Sequence, residues 1–340
     1  MSTKPIVLRL GTVRYAQEAW KELEKVATVI VSESKNREEF IKDLQTKYSQ
    51  VQHITRTFDS ANETGLFDKE LIQHLPKSLI SISHNGAGYD QISAPELIER
   101  KIQLSNVPEI VDNATADNHV FLLLGALRNF GHGRQNLLAG EWPSKGNASG
   151  APIGHDPQGK VVGIVGLGGI GRTILKRLQP FGFEKFIYHN RNRLPEDLEG
   201  GAEYVSLDEL LSTSDIISIN IPLSPKTKHF FNEEKFSKMK KGVVIVNTAR
   251  GGVIDETAFI KYLTNGTVRS AGLDVLENEP NVNKELISLP NVLALPHMGT
   301  HTVETVKAME EHVVKNVENV IKTGKVISLV PEHKNIDFTK

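Results

Sequence analysis

The stretch KVVGIVGLGGIGRTILKRL, residues 160–178, constrains this chain more than any other. Its first part is an almost unbroken apolar run, as expected of a strand buried on both faces of a parallel sheet. Its second part sets Gly166, Gly168 and Gly171 in a G-x-G-x-x-G spacing directly before a helix-like segment. In that context the first glycine permits a tight turn, the second lets the backbone approach a pyrophosphate, and the third lets helix pack close on strand. The phosphates then sit at the positive, N-terminal end of the helix. An ordinary tight turn does not account for all three glycines. The candidate cofactor-binding stretch is therefore Gly166, Gly168, Gly169, Ile170, Gly171 and Arg172.

Runs that read as strands continue at 185–190, 215–222, 242–249, 270–276 and 291–297, which with 160–166 gives six, enough for a complete dinucleotide fold. An earlier series at 5–10, 27–31, 51–57, 79–86 and 103–108 alternates with helical stretches such as QEAWKELEKV. Strands alternating with helices predict a parallel sheet covered on both faces. Between the series, TADNHVFLLLGALRNF (115–130) reads as one long helix, followed by a Gly/Pro/Ser-rich loop at 140–160. Near the end, Val303, Val306, Met309, Val313, Val317 and Val320 recur at spacings of three and four and predict an amphipathic helix that packs back on the first domain. The fold class is α/β, two Rossmann-like domains with parallel sheets and a cleft between them.

Composition removes several functions. Forty Lys and Arg against 41 Asp and Glu give a net charge of −1, and the basic residues are scattered. That disfavours an extended nucleic-acid surface. The absence of cysteine excludes disulfides, thiolate nucleophiles and Cys-ligated metal, and fits a reducing compartment. No secretory or transit pattern opens the chain, and no apolar run approaches the roughly 18 residues that span a bilayer. The expected location is cytoplasmic, with no membrane partner and no metal.

The second strand of the dinucleotide series ends in HNRNR. NAD-binding chains usually place an acid there to accept from the ribose 2′-OH. Here Asn190 can donate to a 2′-phosphate, and Arg191 and Arg193 can form charge-assisted bonds with it. NADP(H) is thus preferred, with NAD(H) as the alternative; a solvated basic loop is the plain reading of the same residues. Three other strand ends carry chemistry: VNTARGGVIDE with Arg250, AGLDVLENEP with Asp274 and Glu279, and LPHMGTH with His297. A guanidinium can grip a carboxylate and polarise a keto oxygen, and an imidazolium stabilised by a carboxylate can donate a proton as hydride arrives. Singly, Arg250 also reads as a surface residue, Glu279 as a helix-start acid and His297 as a core histidine.

Together, their order and spacing resemble the D-isomer-specific 2-hydroxyacid dehydrogenases over nearly the whole chain. HNGAGYDQI (84–92), ATADNHVFLLLGALR (114–128), GLGGIGR (166–172), INIPLSPKTKHFFN (219–232) and the three strand-end motifs carry the resemblance, which is strongest to the fungal glyoxylate/hydroxypyruvate reductase branch. The resemblance implies a discontinuous, flavodoxin-like substrate domain of residues 1–112 plus 300–340, and an NAD(P)-binding domain of residues 113–299. It implies that Arg250 anchors substrate, Glu279 tunes the acid/base His297, and Asp274 contacts the nicotinamide carboxamide. Pro222 and Thr227 match cofactor-side positions, Thr248 lies at the nicotinamide, and the N–H groups of Ala87 and Gly88 match a carboxylate cradle. Arg56 is assigned to the same substrate pocket. The family's usual two-fold dimer brings Trp142 near a partner's active site, or leaves it a buried anchor. Two departures stand out: Gly169 replaces a common Arg, and Ser93 a common Asp.

The activity implied is NADPH-dependent reduction of glyoxylate, hydroxypyruvate or a similar small 2-oxo acid. Phosphoglycerate dehydrogenases usually carry extra C-terminal sequence, and formate oxidation fits the substrate cradle poorly. A dinucleotide-sensing binding protein like the C-terminal-binding corepressors is the alternative from another class, distinguished by failure to turn over any 2-oxo acid.

Overall fold

The computed structural model describes residues 4–142 and 150–338, and these divide into two compact units, Met1–Val111 with His301–Lys340, and Asp112–Thr300. In the first unit, β1 (Ile6–Leu10), β2 (Thr28–Val31), β3 (His53–Thr57), β4 (Ser81–Asn85) and β5 (Gln103–Ser105) form one parallel sheet in the order β2-β1-β3-β4-β5. Because side chains alternate along a strand, Leu8, Leu10, Ile54 and Ile82 join Phe40, Phe67 and Leu71 in one core, while Val7 on the other face joins Trp20, Val314 and Val317. This is the flavodoxin-like order, whose direction reverses between β1 and β3.

The helix Val303–Thr323 belongs to this unit and packs on β4 and on the helix Gln17–Glu24. Its apolar stripe is buried at Met309, Val313, Val314, Val317 and Val320, whereas Val303 is exposed. The sequence pattern hides one feature of this helix. Glu310 is buried and accepts the N–H groups of Arg14, Tyr15 and Ala16 at 2.8–2.9 Å, tying down the start of the helix at 17. A carboxylate there satisfies three backbone donors that burial would otherwise leave unpaired.

In the second unit, β6 (Val161–Val165), β7 (Lys185–His189), β8 (Glu203–Tyr204), β9 (Ile216–Ile219), β10 (Val243–Asn247), β11 (Val268–Leu273) and β12 (Val292–Ala294) form a parallel sheet in the order β12-β11-β10-β9-β6-β7-β8. In chain order within the unit this reads 3-2-1-4-5-6-7, the dinucleotide-binding order extended by one strand, and its direction reverses between β6 and β9. Burial on both faces explains the apolar runs, since β9 and β10 are buried throughout. Six strands were expected; β8 is the seventh, only two residues long and held by the edge-to-face pair of Tyr204 with Tyr188. The long helix also differs from expectation. It ends at Leu127, Asn129 takes a left-handed φ of 55°, and a separate helix runs Phe130–Leu138. A left-handed residue cannot continue a right-handed helix. No helix among the described residues is long and apolar enough to cross a membrane.

Candidate active site

The glycine loop lies at the reversal point of the second sheet. Gly166 has φ of 99°, and a Cβ on it would come within 2.7 Å of the Asn220 carbonyl oxygen at the end of β9. A Cβ on Gly171 would meet the Gly166 carbonyl oxygen at 2.3 Å, while one on Gly168 would meet nothing within 4 Å. The three glycines therefore serve a strained turn, a close helix–strand approach and an open backbone face. The helix Gly169–Leu178 starts without a side-chain cap. Arg172 N–H bonds to the Gly168 carbonyl at 2.9 Å, and the N–H groups of Gly169, Ile170 and Gly171 find no acceptor among the described residues. Open donors at a helix N-terminus beside an open backbone face fit the pyrophosphate of a dinucleotide. The Asp112 carboxylate lies beside Gly169, where a Cβ would come 2.4 Å from its Oδ2, so a side chain at this position requires Asp112 to move.

At the end of β7, Asn190 Oδ1 accepts the Leu167 N–H at 2.8 Å, which turns the amide NH₂ away from the glycine loop. The two arginines divide. Arg191 is exposed and makes no ion pair among the described residues. Arg193 grips Glu199 with a fork of 2.8 and 3.1 Å, and Tyr188 Oη donates to the same carboxylate at 2.8 Å. Arg193, then Tyr188, hold the Glu199 carboxyl below its ordinary range. Arg193, the second arginine expected to face a 2′-phosphate, thus has a carboxylate partner in its own loop while its side chain stays 62% exposed. Thr227 is similarly occupied. Its hydroxyl donates to the Pro222 carbonyl at 2.6 Å and accepts the Ser224 N–H at 2.8 Å, closing the 222–227 turn.

Arg250, Asp274, Glu279 and His297 stand together beyond the ends of β10, β11 and β12. Asp274 is buried and accepts the N–H groups of Met298 and Gly299 at 2.7 and 2.8 Å, while its carbonyl accepts from His297 N–H at 2.8 Å. These bonds hold His297 at a left-handed φ of 55°. Glu279 Oε2 lies 2.7 Å from His297 Nδ1, and Oε1 accepts the Leu276 N–H at 2.8 Å. Burial pushes the Glu279 carboxyl up, but the His297 hydrogen bond and charge, the Leu276 N–H and the Arg250 charge outweigh it, so its pKa falls below the ordinary value. An ionised carboxylate only accepts, so Nδ1 carries its proton toward Glu279 and proton exchange falls to Nε2. Arg250 is set by its neighbours. Asn247, fully buried, donates to the Arg250 carbonyl at 2.9 Å and accepts the Ala249 N–H at 3.0 Å. Gly251 presses on the next turn, where a Cβ would lie 2.0 Å from the Leu276 carbonyl carbon.

Sequence reading missed several partners here. His229 Nε2 pairs with Glu277 Oε1 at 2.5 Å, and Glu277 N–H donates to Glu256 Oε1 at 2.8 Å. Burial and the charges of Glu277 and Glu279 push the Glu256 carboxyl up. Thr248, beside Arg250, is hydrogen-bonded to the buried His119 at 2.9 Å. The available signal was the run of polar residues at strand ends, Asn220, Asn247, Thr248 and Glu277, inside otherwise apolar segments. No group of three or more His, Cys, Asp or Glu among the described residues is placed to hold a metal ion.

In the first unit, the loop after β4 has its carbonyls engaged: Gly86 O by Val107 N–H at 2.9 Å, Ala87 O by Asn106 Nδ2 at 2.7 Å and Gly88 O by His84 Nε2 at 2.9 Å. The N–H groups of Ala87 and Gly88 make no hydrogen bond among the described residues, leaving a donor pair suited to a carboxylate. Arg56 is 1% exposed. It lies over the Phe67 ring and donates to Gln91 Oε1 at 2.7 Å and to Ser60 Oγ at 3.3 Å, and burial lowers its pKa to about 10. These partners fix Arg56 in the unit's interior. Trp142, in the second unit, is 54% exposed, which removes the reading of a buried anchor.

Comparison with known proteins agrees with this geometry. The family profile described as D-isomer specific 2-hydroxyacid dehydrogenase, NAD binding domain, matches residues 120–299. Glyoxylate reductase 1 of Saccharomyces cerevisiae is 59% identical over 99% of this chain and 98% of its own length. Among solved structures, a glyoxylate reductase from Paecilomyes thermophila superimposes with a TM-score of 0.93 at 45% identity, covering 98% of this chain and 100% of that one. An NADPH-dependent glyoxylate/hydroxypyruvate reductase from Sinorhizobium meliloti, solved with NADP and malonate, has a TM-score of 0.84 at 29% identity, covering 97% and 98%.

Proposed function

The chain belongs to the D-isomer-specific 2-hydroxyacid dehydrogenases, oxidoreductases that use a nicotinamide dinucleotide, and from that premise we propose that it is an NADPH-dependent reductase of glyoxylate, hydroxypyruvate or a similarly small 2-oxo acid. The observation that carries the proposal is the His297–Glu279 pair at 2.7 Å beside Arg250. Arg250 binds the substrate carboxylate and draws electron density onto the keto oxygen. Bound reduced nicotinamide supplies the hydride to the carbonyl carbon. His297 Nε2–H gives its proton to the oxygen, completing the 2-hydroxy acid, while ionised Glu279 stabilises the imidazolium beforehand and holds the ring in place. Asp274 keeps the His297 loop in register, and its remaining lone pairs suit the carboxamide donor. In the first unit, the open N–H pair of Ala87 and Gly88 suits a carboxylate in the same chemical sense as an oxyanion hole.

NADPH is favoured by the absence of an acid after β7 and by the unpaired Arg191 with the outward NH₂ of Asn190. The nicotinamide-binding domain is assigned to residues 113–299 and the substrate domain to 1–112 with 300–340. A homodimer is proposed from the exposed apolar side chains Phe121, Phe130, Leu137, Leu138 and Trp142 on one segment of the second unit; sedimentation would read twice the monomer mass. The site is tested with glyoxylate, hydroxypyruvate, a branched-chain 2-oxo acid and phosphohydroxypyruvate at saturating NADPH. The highest kcat/KM is expected for glyoxylate or hydroxypyruvate. A preference for the phosphorylated acid would assign the chain to phosphoglycerate oxidation, and failure to turn over any of them would favour a dinucleotide-sensing role.

A further inference from the structure

His119 sits at the centre of a buried polar chain in the second unit that the chemistry above does not use. The residue lies on the helix Asp112–Leu127, among Leu122, Leu123 and Ala116, and is fully buried. Its Nδ1 is 2.9 Å from Thr248 Oγ1 and its Nε2 is 2.9 Å from Ser218 Oγ. Ser218, also fully buried, receives Asn220 Nδ2 at 2.9 Å on the same oxygen. These groups lie on β9, β10 and the residues just past their C-terminal ends, next to the turn at Gly166.

The directions of these bonds follow from donor and acceptor accounting. Asn220 Nδ2 also faces the Ser218 backbone carbonyl at 3.4 Å, and a carbonyl only accepts, so the amide is oriented with its NH₂ toward Ser218. Ser218 Oγ therefore accepts from Asn220. Its own hydrogen has one acceptor within reach, His119 Nε2. The ring must then carry its proton on Nδ1 and donate it to Thr248 Oγ1. The opposite tautomer would strand the Ser218 hydroxyl hydrogen in a place with no access to water, which folded proteins avoid. Burial agrees with a neutral ring, lowering the pKa of His119 to about 3.

The chain has two open ends. Thr248, having accepted from His119, still has a hydroxyl hydrogen to give at the end of β10. Asn220 Oδ1, at the end of β9, is buried with no partner among the described residues. β9 and β10 are neighbours in register, Asn247 opposite Ile219, so one donor and one acceptor stand at adjacent strand ends, where open α/β sheets bind ligands.

We propose that His119 is a positioning residue, a permanently neutral Nδ1–H relay that makes Thr248 a hydrogen-bond donor, and Asn220 Oδ1 an acceptor, to the nicotinamide half of the cofactor. This rests on the proposed dinucleotide site. His119 touches no ligand itself; it acts by fixing which way the Thr248 hydroxyl points.

Two measurements test it. In the full chain labelled with ¹⁵N-histidine, long-range proton–nitrogen spectra assign the tautomer, the His119 signal being identified by its shift in Ser218→Ala. The expected ring is Nδ1–H and stays neutral down to pH 5; an Nε2–H ring, or titration near 6.5, overturns the relay. Binding of NADPH is then read by its fluorescence. Thr248→Val should weaken binding about tenfold, the loss of one good hydrogen bond. Ser218→Ala should weaken it several-fold by freeing the ring to change tautomer, and the double variant should lose no more than Thr248→Val alone. Additive losses, or unchanged binding in Thr248→Val, overturn the proposal. An unmodified chain that binds neither NADPH nor NADH overturns the dinucleotide reading and the ligand end of this proposal with it. An Nε2–H ring in a chain that does bind NADPH overturns the relay alone.

Discussion

Arg191 and Arg193 are two residues apart and chemically identical, yet their surroundings give them different work. Arg193 is spent on Glu199 by a two-pronged bond, while Arg191 is exposed and unpaired among the described residues. Arg191→Asp is therefore expected to move the NADPH-to-NADH ratio of kcat/KM toward NADH by on the order of tenfold or more, since it replaces a charge-assisted bond with a repulsion. Arg193→Ala should leave that ratio within about twofold. Equal shifts for the two variants would show that the Glu199 pair opens when cofactor binds. Motif spacing alone treats the two arginines as equals, because it registers residue type and not the partner a side chain has found. The clustering of Arg250, Glu279 and His297, the proposed catalytic trio, was legible for the opposite reason: each follows a strand-like run, and a parallel sheet brings its strand ends together.

At the scale of elements, apolar runs announced most strands, and β3 and β4, buried at every position but the last, fit a sheet covered on both faces. The helix Phe130–Leu138 was not legible, because FGHGRQNLL contains two glycines and follows a break at Asn129 whose left-handed φ leaves no mark in composition. Glu310 and His119 escaped as well, since a polar residue buried on a helix shows its purpose only when its partners are known. Gly251 illustrates how an element boundary sets the site: a Cβ there would overlap the Leu276 backbone. Gly251→Ala should push the 250 turn off the 276–279 turn and lower kcat/KM at least tenfold, more through kcat than through the Kd of NADPH; unchanged kinetics would mean that the turn relaxes freely. The buried histidines give the sheets an acid sensitivity. Desolvation lowers the pKa of His53 to about 4 and of His119 to about 3, both below the ordinary 6.5. Between those values the unfolded chain binds more protons, so stability is full above about pH 6.5 and declines as pH falls, by at most about 1.4 kcal/mol per pH unit for each histidine. Urea unfolding at steps from pH 7 to 4.5 should show this decline, and His53→Gln should flatten it. An unchanged slope would assign the acid sensitivity to other groups.

For the molecule as a whole, two parallel sheets of different order carry different chemistry, an open N–H pair after β4 in the first unit and the glycine loop with the His297 cluster in the second. A ligand that binds only the native state stabilises it by about 2.7 kcal/mol at a hundredfold excess over Kd. NADPH alone should therefore slow hydrogen exchange at 166–172 and 247–250 in the second unit; protection confined to residues 4–111 would contradict the assignment of the cofactor domain. The role proposed for His297, held by Glu279, is to give the proton as hydride reaches a small 2-oxo acid. Its most direct test is the loss of NADPH absorbance with glyoxylate in the unmodified chain and in His297→Ala, with NADPH affinity measured alongside. Rapid loss is expected in the first, a rate lower by ~10²–10⁴-fold in the second, and cofactor affinity nearly unchanged between them. Near-normal turnover by His297→Ala would contradict it.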